Sequence, residues 1–234
     1  MTKHIQIGGL SMAYLESGSG KTILLLHGNS ASKSTFKKHQ FQHFKEFHTI
    51  AVDSRGHGQS QSDDHILTFD QMSDDIIQLC DRKNLRNIYA LGHSDGGILG
   101  LYLIIKRPDL FQQVFLVSPN YKPDGLKESS MKLIMRFYGI VNTLNKIGFP
   151  LQRVALRIAL MLNDYGLTAE DLQKINGKIA LIFAEKDMIT DKHMEEMAKL
   201  IPSATYLRIQ GTTHMNVISH PELIQLVRDS ILAK

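Results

Sequence analysis

The stretch that most constrains the fold reads Ile-Tyr-Ala-Leu-Gly-His-Ser-Asp-Gly-Gly-Ile-Leu-Gly-Leu, residues 88–101. An apolar run predicts a buried strand, and after Gly96-Gly97 a helical pattern begins. Between them, Gly92-His93-Ser94-Asp95-Gly96 fits the spacing G-x-S-x-G. That pattern needs small residues on both sides of the serine. The chain reverses sharply, the serine takes strained dihedrals, and flanking side chains would clash. Such a turn exposes the hydroxyl above the sheet. It also places the next backbone N–H at a helix N-terminus, where it can face a developing negative charge.

The rest of the chain alternates strands and helices around this unit. Residues 5–7 and 12–15 predict an edge hairpin turning at Gly8-Gly9. Buried strands are expected at 23–26, 49–52, 88–92, 114–117, 178–184 and 205–209, with helices at 35–44, 69–83, 97–107, 191–200 and 221–232. Gly18-Ser19-Gly20-Lys21-Thr22 is not a phosphate loop, because Leu15 stands where the pattern needs glycine and a strand follows instead of a helix. The order predicts an α/β class with a mostly parallel sheet covered on both faces. Between residues 121 and 176 the alternation breaks. Met131, Ile134, Met135, Tyr138 and Val141 share one helical face, and Leu151, Val154, Ala155, Ile158 and Leu162 share another. We expect a core of residues 1–120 and 177–234, with 121–176 a helical lid inserted after strand 6, over the edge where open α/β sheets bind ligands. Met131, Met135 and Tyr138, with Met188 and Met215, are the expected pocket residues.

Composition narrows the partners. A chain of 234 residues with net charge +4 has room for one full core. Its charges are dispersed with no basic stripe interleaved with aromatics, which argues against nucleic acid. Cys80 is the only cysteine, so no internal disulfide is possible. The first residues lack the long apolar stretch of a signal peptide, and no apolar run approaches a membrane span. These features predict a cytoplasmic protein, monomer or homodimer, acting on a small molecule, with no metal or organic cofactor.

A serine hydroxyl is a poor nucleophile; it needs a base, and the base needs an orienting carboxylate. On this topology the three should follow strands in the chain order Ser, acid, His. Ser94, Asp187 and His214 meet that order. Glu185 competes with Asp187, and His220 stands behind His214. The strand at 114–117 is followed by Ser118-Pro119-Asn120, which offers no carboxylate. In the glycine-rich loop 53–60, Asp53 and Arg55 are expected to supply internal hydrogen bonds.

With these motifs the chain resembles the α/β-hydrolase fold superfamily, in its short-lid serine esterase and lipase-like form, over essentially its whole length. The matching residues are His27-Gly28-Asn29, Asp53 to Ser60, Gly92 to Gly96, Asp187 and His214. The resemblance implies that Ser94 is the nucleophile, His214 the base and then acid, and Asp187 its orienter. It implies that the backbone N–H groups of Asn29 and Asp95 form an oxyanion hole. The expected reaction is cleavage of a carboxylic ester with a small or medium-sized apolar acyl group. The same triad also serves C–C bond hydrolases, lyases and cofactor-free perhydrolases, and the fold can serve as a non-catalytic ligand receptor. Eight Lys/Arg against five Asp/Glu within 121–176 suggest an acidic neighbour on the substrate.

Overall fold

In the computed structural model, residues 1–63 and 65–233 are described; Asp64 and Lys234, within the expected core segments, lie outside them. Strands β1 (Lys3–Ile7), β2 (Leu10–Ser17), β3 (Thr22–Leu26), β4 (His48–Val52), β5 (Ile88–His93), β6 (Phe111–Val117), β7 (Ile179–Lys186) and β8 (Ala204–Thr213) form one sheet. Its order is β1-β2-β4-β3-β5-β6-β7-β8. Strands β1 and β2 pair antiparallel, and β2 joins β4 antiparallel. The pairs from β4 through β8 are all parallel.

The apolar runs carry side chains alternately to two cores. Leu24 and Leu26 of β3 enter one core with Ile88 and Ala90 of β5. Ile23, Leu25, Tyr89 and Leu91 enter the other. Helices α2 (Phe69–Arg82), α3 (Asp95–Lys106) and α7 (Asp191–Leu200) cover the first face. Helix α8 (Pro221–Leu232) covers the second through Leu223, Val227 and Ile231. A strand buried on both faces has no polar side to spend, which is why these segments read as unbroken apolar runs. Cys80 lies fully buried in the first core, and burial pushes its thiol up to about 12.

Three expectations need correction. The helix expected at 35–44 is a 3₁₀ turn, Lys33–Phe36, followed by a four-residue helix α1 (Gln40–His43). Lys33 is pinned to Asp53 by its backbone N–H and its ammonium, so the turn starts early. The last strand runs to Thr213 rather than 209, because pairing with β7 resumes at Lys186 and Thr213 after an irregularity. The insertion between β6 and β7 holds three helices rather than two: α4 (Glu128–Lys146), α5 (Gln152–Leu162) and short α6 (Ala169–Gln173). Thr168 and Asp171 close a reciprocal capping box on α6. Helices α4 and α5 pack through Ile134, Val141, Ala155 and Ile158. Among the described residues, no helix is long and apolar enough to cross a membrane.

Candidate active site

Ser94 sits between the central strand β5 and helix α3, with φ 55 and ψ −119. This left-handed conformation is costly for a residue with a side chain. The neighbouring glycines make it possible. A Cβ on Gly92 would lie 2.0 Å from the Gly96 carbonyl oxygen, and one on Gly96 would lie 2.1 Å from the Leu26 carbonyl oxygen. The G-x-S-x-G spacing is therefore a steric requirement of this turn against β3.

Asp187 follows β7, and His214 follows β8. His214 Nδ1 lies 2.7 Å from Asp187 Oδ1, and His214 Nε2 lies 3.0 Å from Ser94 Oγ. With Asp187 ionised, Nδ1–H donates to the carboxylate, and Nε2 is left to accept the serine proton. Asp187 is buried, which pushes its carboxyl up. Hydrogen bonds from His214, from Ser118 Oγ at 2.5 Å and from the Ala184 N–H at 2.9 Å outweigh burial and hold it down at about 2. Lys127 Nζ fixes the same residue from the backbone side, donating to the Asp187 carbonyl at 2.7 Å. His93 is neutral in effect, because burial pulls it down to about 4; its Nε2–H donates to the His214 carbonyl at 2.7 Å. Glu185 is turned away and accepts from the Gly211 N–H at 2.6 Å. His220 is not part of this hydrogen-bonded chain, and its buried Nδ1 has no partner among the described residues.

The sequence expectations give neither Ser118 nor Lys127 a role in the site. The signal for Ser118 is its position just past β6, beside the end of β7, where a small hydroxyl can reach the acid. Its φ of 52 turns it out of the strand direction.

The second half of the site is the loop after β3. His27 is held by burial well below its usual value. Its Nδ1–H donates to the Gly28 carbonyl at 2.8 Å, and its Nε2 accepts from the Ser54 N–H at 3.1 Å. One neutral tautomer satisfies both bonds and fixes the loop. The Asn29 side chain donates to Asp95 Oδ2 at 2.8 Å and to the Arg157 carbonyl of α5 at 2.7 Å. Among the described residues, neither the Asn29 nor the Asp95 backbone N–H has an intramolecular acceptor.

Asp53, at the end of β4, braces this loop from below. It accepts from Lys33 N at 2.7 Å, Lys33 Nζ at 2.5 Å and Gln59 N at 2.7 Å. Arg55 binds Asp75 through two guanidinium nitrogens at 2.7 and 2.6 Å. Lys33 and Asp53 are both buried, so removing the cation strands an anion. We expect Lys33→Met to destabilise the fold by about 3–5 kcal/mol. In a chain of this length that lowers Tm by roughly 10 °C, readable by calorimetry. An unchanged Tm would mean that Asp53 does not need its partner.

Above Ser94 and His214 lies a cavity of about 360 Å³. Leu126, Ile134, Phe137, Ile158, Met161, Met188 and Met215 supply its apolar wall. Met188 and Met215, both expected as pocket residues, are among the lining residues. Met131, Met135 and Tyr138 are not among the lining residues, and the pocket assignment is corrected there. Packing of α4 on α5 sets the inward stripe through Ile134 and Val141. That leaves Met135 58% exposed and Tyr138 packed at the helix–helix contact. Among the described residues, no group of three or more His, Cys, Asp or Glu could hold a metal ion.

A family model described as alpha/beta hydrolase fold matches residues 21–144, and the chain belongs to that family. A 2-(acetamidomethylene)succinate hydrolase of Mesorhizobium japonicum is 29% identical over 117 residues, which are 50% of this chain and 42% of that enzyme. An sn-1-specific diacylglycerol lipase, ABHD11, of Xenopus laevis is 32% identical over 106 residues, 44% of this chain and 33% of the lipase. The chain thus matches less than half the length of these relatives. Among solved structures, a thermophilic esterase from Thermogutta terrifontis superposes with TM-score 0.80 at 21% identity, covering 100% of this chain and 98% of the esterase. At that identity the likeness concerns the fold.

Proposed function

We propose that the protein is a serine hydrolase that cleaves a carboxylic ester through an acyl-enzyme. The observation that carries this reading is the unbroken chain Ser94–His214–Asp187 at the base of an apolar cavity. Ser94 Oγ attacks the ester carbonyl carbon while His214 Nε2 takes the hydroxyl proton. The carbonyl oxygen becomes an oxyanion facing the free N–H groups of Asn29 and Asp95. Each such donor is worth about 3 kcal/mol of transition-state stabilisation. The C–O bond to the alcohol breaks as His214 returns its proton to the leaving oxygen. Water then attacks the acyl-serine by the same path, its proton passing through His214, and releases the acid. Asp187 keeps the imidazole in the tautomer that accepts at Nε2 and stabilises the imidazolium.

The cavity lies at the small end of ligand sites, which supports a small or medium-sized apolar acyl group. Residues 121–176 act in this reading as a lid, with α4 and α5 supplying Ile134, Phe137, Ile158 and Met161 to the cavity wall. The test joins fluorophosphonate labelling to a p-nitrophenyl ester series from acetate upward. The expected result is covalent labelling at Ser94 and turnover that peaks at a short or medium acyl chain. Labelling without ester turnover would move the assignment to another chemistry of the same triad. No labelling of the folded protein would support a ligand receptor.

A further inference from the structure

Asp95 enters the site by its side chain as well as by its amide. The carboxylate lies on the cavity wall and is almost wholly buried. Oδ2 accepts from Asn29 Nδ2. Oδ1 has no donor among the described residues, yet it is not one of the unpartnered atoms sealed from solvent. Acidic side chains are seldom buried without a cation beside them. Asp53 and Asp75, equally buried, each have one, in Lys33 and Arg55. Among the described residues, no ion pair includes Asp95. Burial pushes its carboxyl up to about 6, against the pull of Asn29 and His214.

A second acceptor lines the same cavity. Asn120 Nδ2 donates to the Lys122 carbonyl at 2.9 Å and to the Tyr165 hydroxyl at 3.2 Å. A carbonyl can only accept, so this fixes which end of the carboxamide is nitrogen. Asn120 Oδ1 is left without a donor among the described residues, and it too is not sealed off. Tyr165 also lines the cavity, and its hydroxyl accepts from Asn120 Nδ2. Its hydroxyl proton goes to the Met161 carbonyl at 3.1 Å, so it offers the cavity no donor. The result is two acceptors with a free oxygen, one of them a carboxylate, on the wall of a mostly apolar cavity. Asp95 follows Ser94 directly in the chain and lines the same cavity, so its carboxylate belongs to the wall that a substrate at Ser94 meets.

We infer that this cavity binds a cationic amine carried by the substrate next to its scissile carbonyl, with Asp95 and Asn120 as the receiving oxygens. The inference rests on the hydrolase reading of Ser94 and deepens it. It reverses the acidic preference suggested by the basic composition of residues 121–176.

The test compares kcat/KM at pH 7 for three benzyl esters of nearly equal shape. Their acids are 2-aminopropanoic, 2-methylpropanoic and, as a half ester, methylmalonic; they place an ammonium, a methyl and a carboxylate at one position. The ammonium ester is expected to exceed the methyl ester by at least about tenfold, with the carboxylate slowest. In Asp95→Asn, the Asn29 donor holds the new carbonyl and turns the new amide N–H₂ toward the cavity. The ammonium-to-methyl ratio should then fall below about threefold, a readout independent of any general loss of rate. Equal or faster turnover of the methyl ester by the unaltered protein overturns the inference and leaves the hydrolase reading standing. An unchanged ratio in Asp95→Asn does the same. Failure of all three esters together with failure of fluorophosphonate labelling overturns both.

Discussion

Replacing Ser94 by Ala should abolish turnover, by at least about 10⁴-fold in kcat, with no loss of the folded state. The hydroxyl is the only group at the cavity base within hydrogen-bond distance of His214 Nε2 among the described residues. No neighbouring hydroxyl is placed to take over. The substitution keeps a Cβ at φ 55, so it neither relieves nor adds backbone strain, and it removes one oxygen from a partly buried residue. Tm should move by no more than about 2 °C. Single-turnover kinetics, fluorophosphonate labelling and circular dichroism on the same preparation separate the outcomes. Retained labelling or turnover would reject Ser94 as the nucleophile.

Asp187→Asn should cost about 10⁴-fold in kcat, and the structure gives the reason. Ser118 Oγ at 2.5 Å and the Ala184 N–H at 2.9 Å both donate to Oδ2, against one longer bond from the Ile189 N–H to Oδ1 at 3.3 Å, so the carbonyl oxygen of an asparagine is favoured at Oδ2. Its N–H₂ group then occupies the Oδ1 position and faces His214 Nδ1. A donor at that point forces the other imidazole tautomer, in which Nε2 carries a proton and cannot accept one from Ser94. The control is Glu185→Gln, which alters a carboxylate bonded to the Gly211 N–H and should change kcat less than about threefold. If the glutamine variant were the crippled one, the acid would be misassigned. Asp187 is also a stability element with a defined pH window. Its folded value of about 2 lies below the unfolded value of about 3.9. The contribution is therefore complete well above pH 4 and is lost as the pH falls toward 2.

How far the site is legible depends on the range of the contacts that shape it. The turn at Gly92–Gly96 can be read from five residues because its steric demands are local, and the β3 backbone against which Gly96 packs is supplied by an adjacent buried run. The order Ser94, Asp187, His214 is legible because parallel strands place their C-terminal ends along one edge. Ser118 is not legible as a partner of Asp187, since that contact depends on the registration of β6 against β7. The expected face of α4 holds at Ile134, Tyr138 and Val141, and only packing on α5 shows that Met135 turns outward. Asn120 and Tyr165, 45 residues apart, meet only once the insertion has folded back. The early helix fails for a related reason, because a buried ion pair between Lys33 and Asp53 overrides local propensity.

The strained serine is mounted at the end of β5, whose six residues are all buried and which is held between β3 and β6 in the middle of the sheet. Loops and termini can open at little cost, but a central strand separates from its neighbours only when the whole domain gives way. Ser94 therefore has no cheap local route to a relaxed backbone. Its geometry persists for as long as the protein is folded and disappears with it. Heat or denaturant should switch the site off in a single step, and the lifetime of the fold sets the lifetime of the serine's conformation.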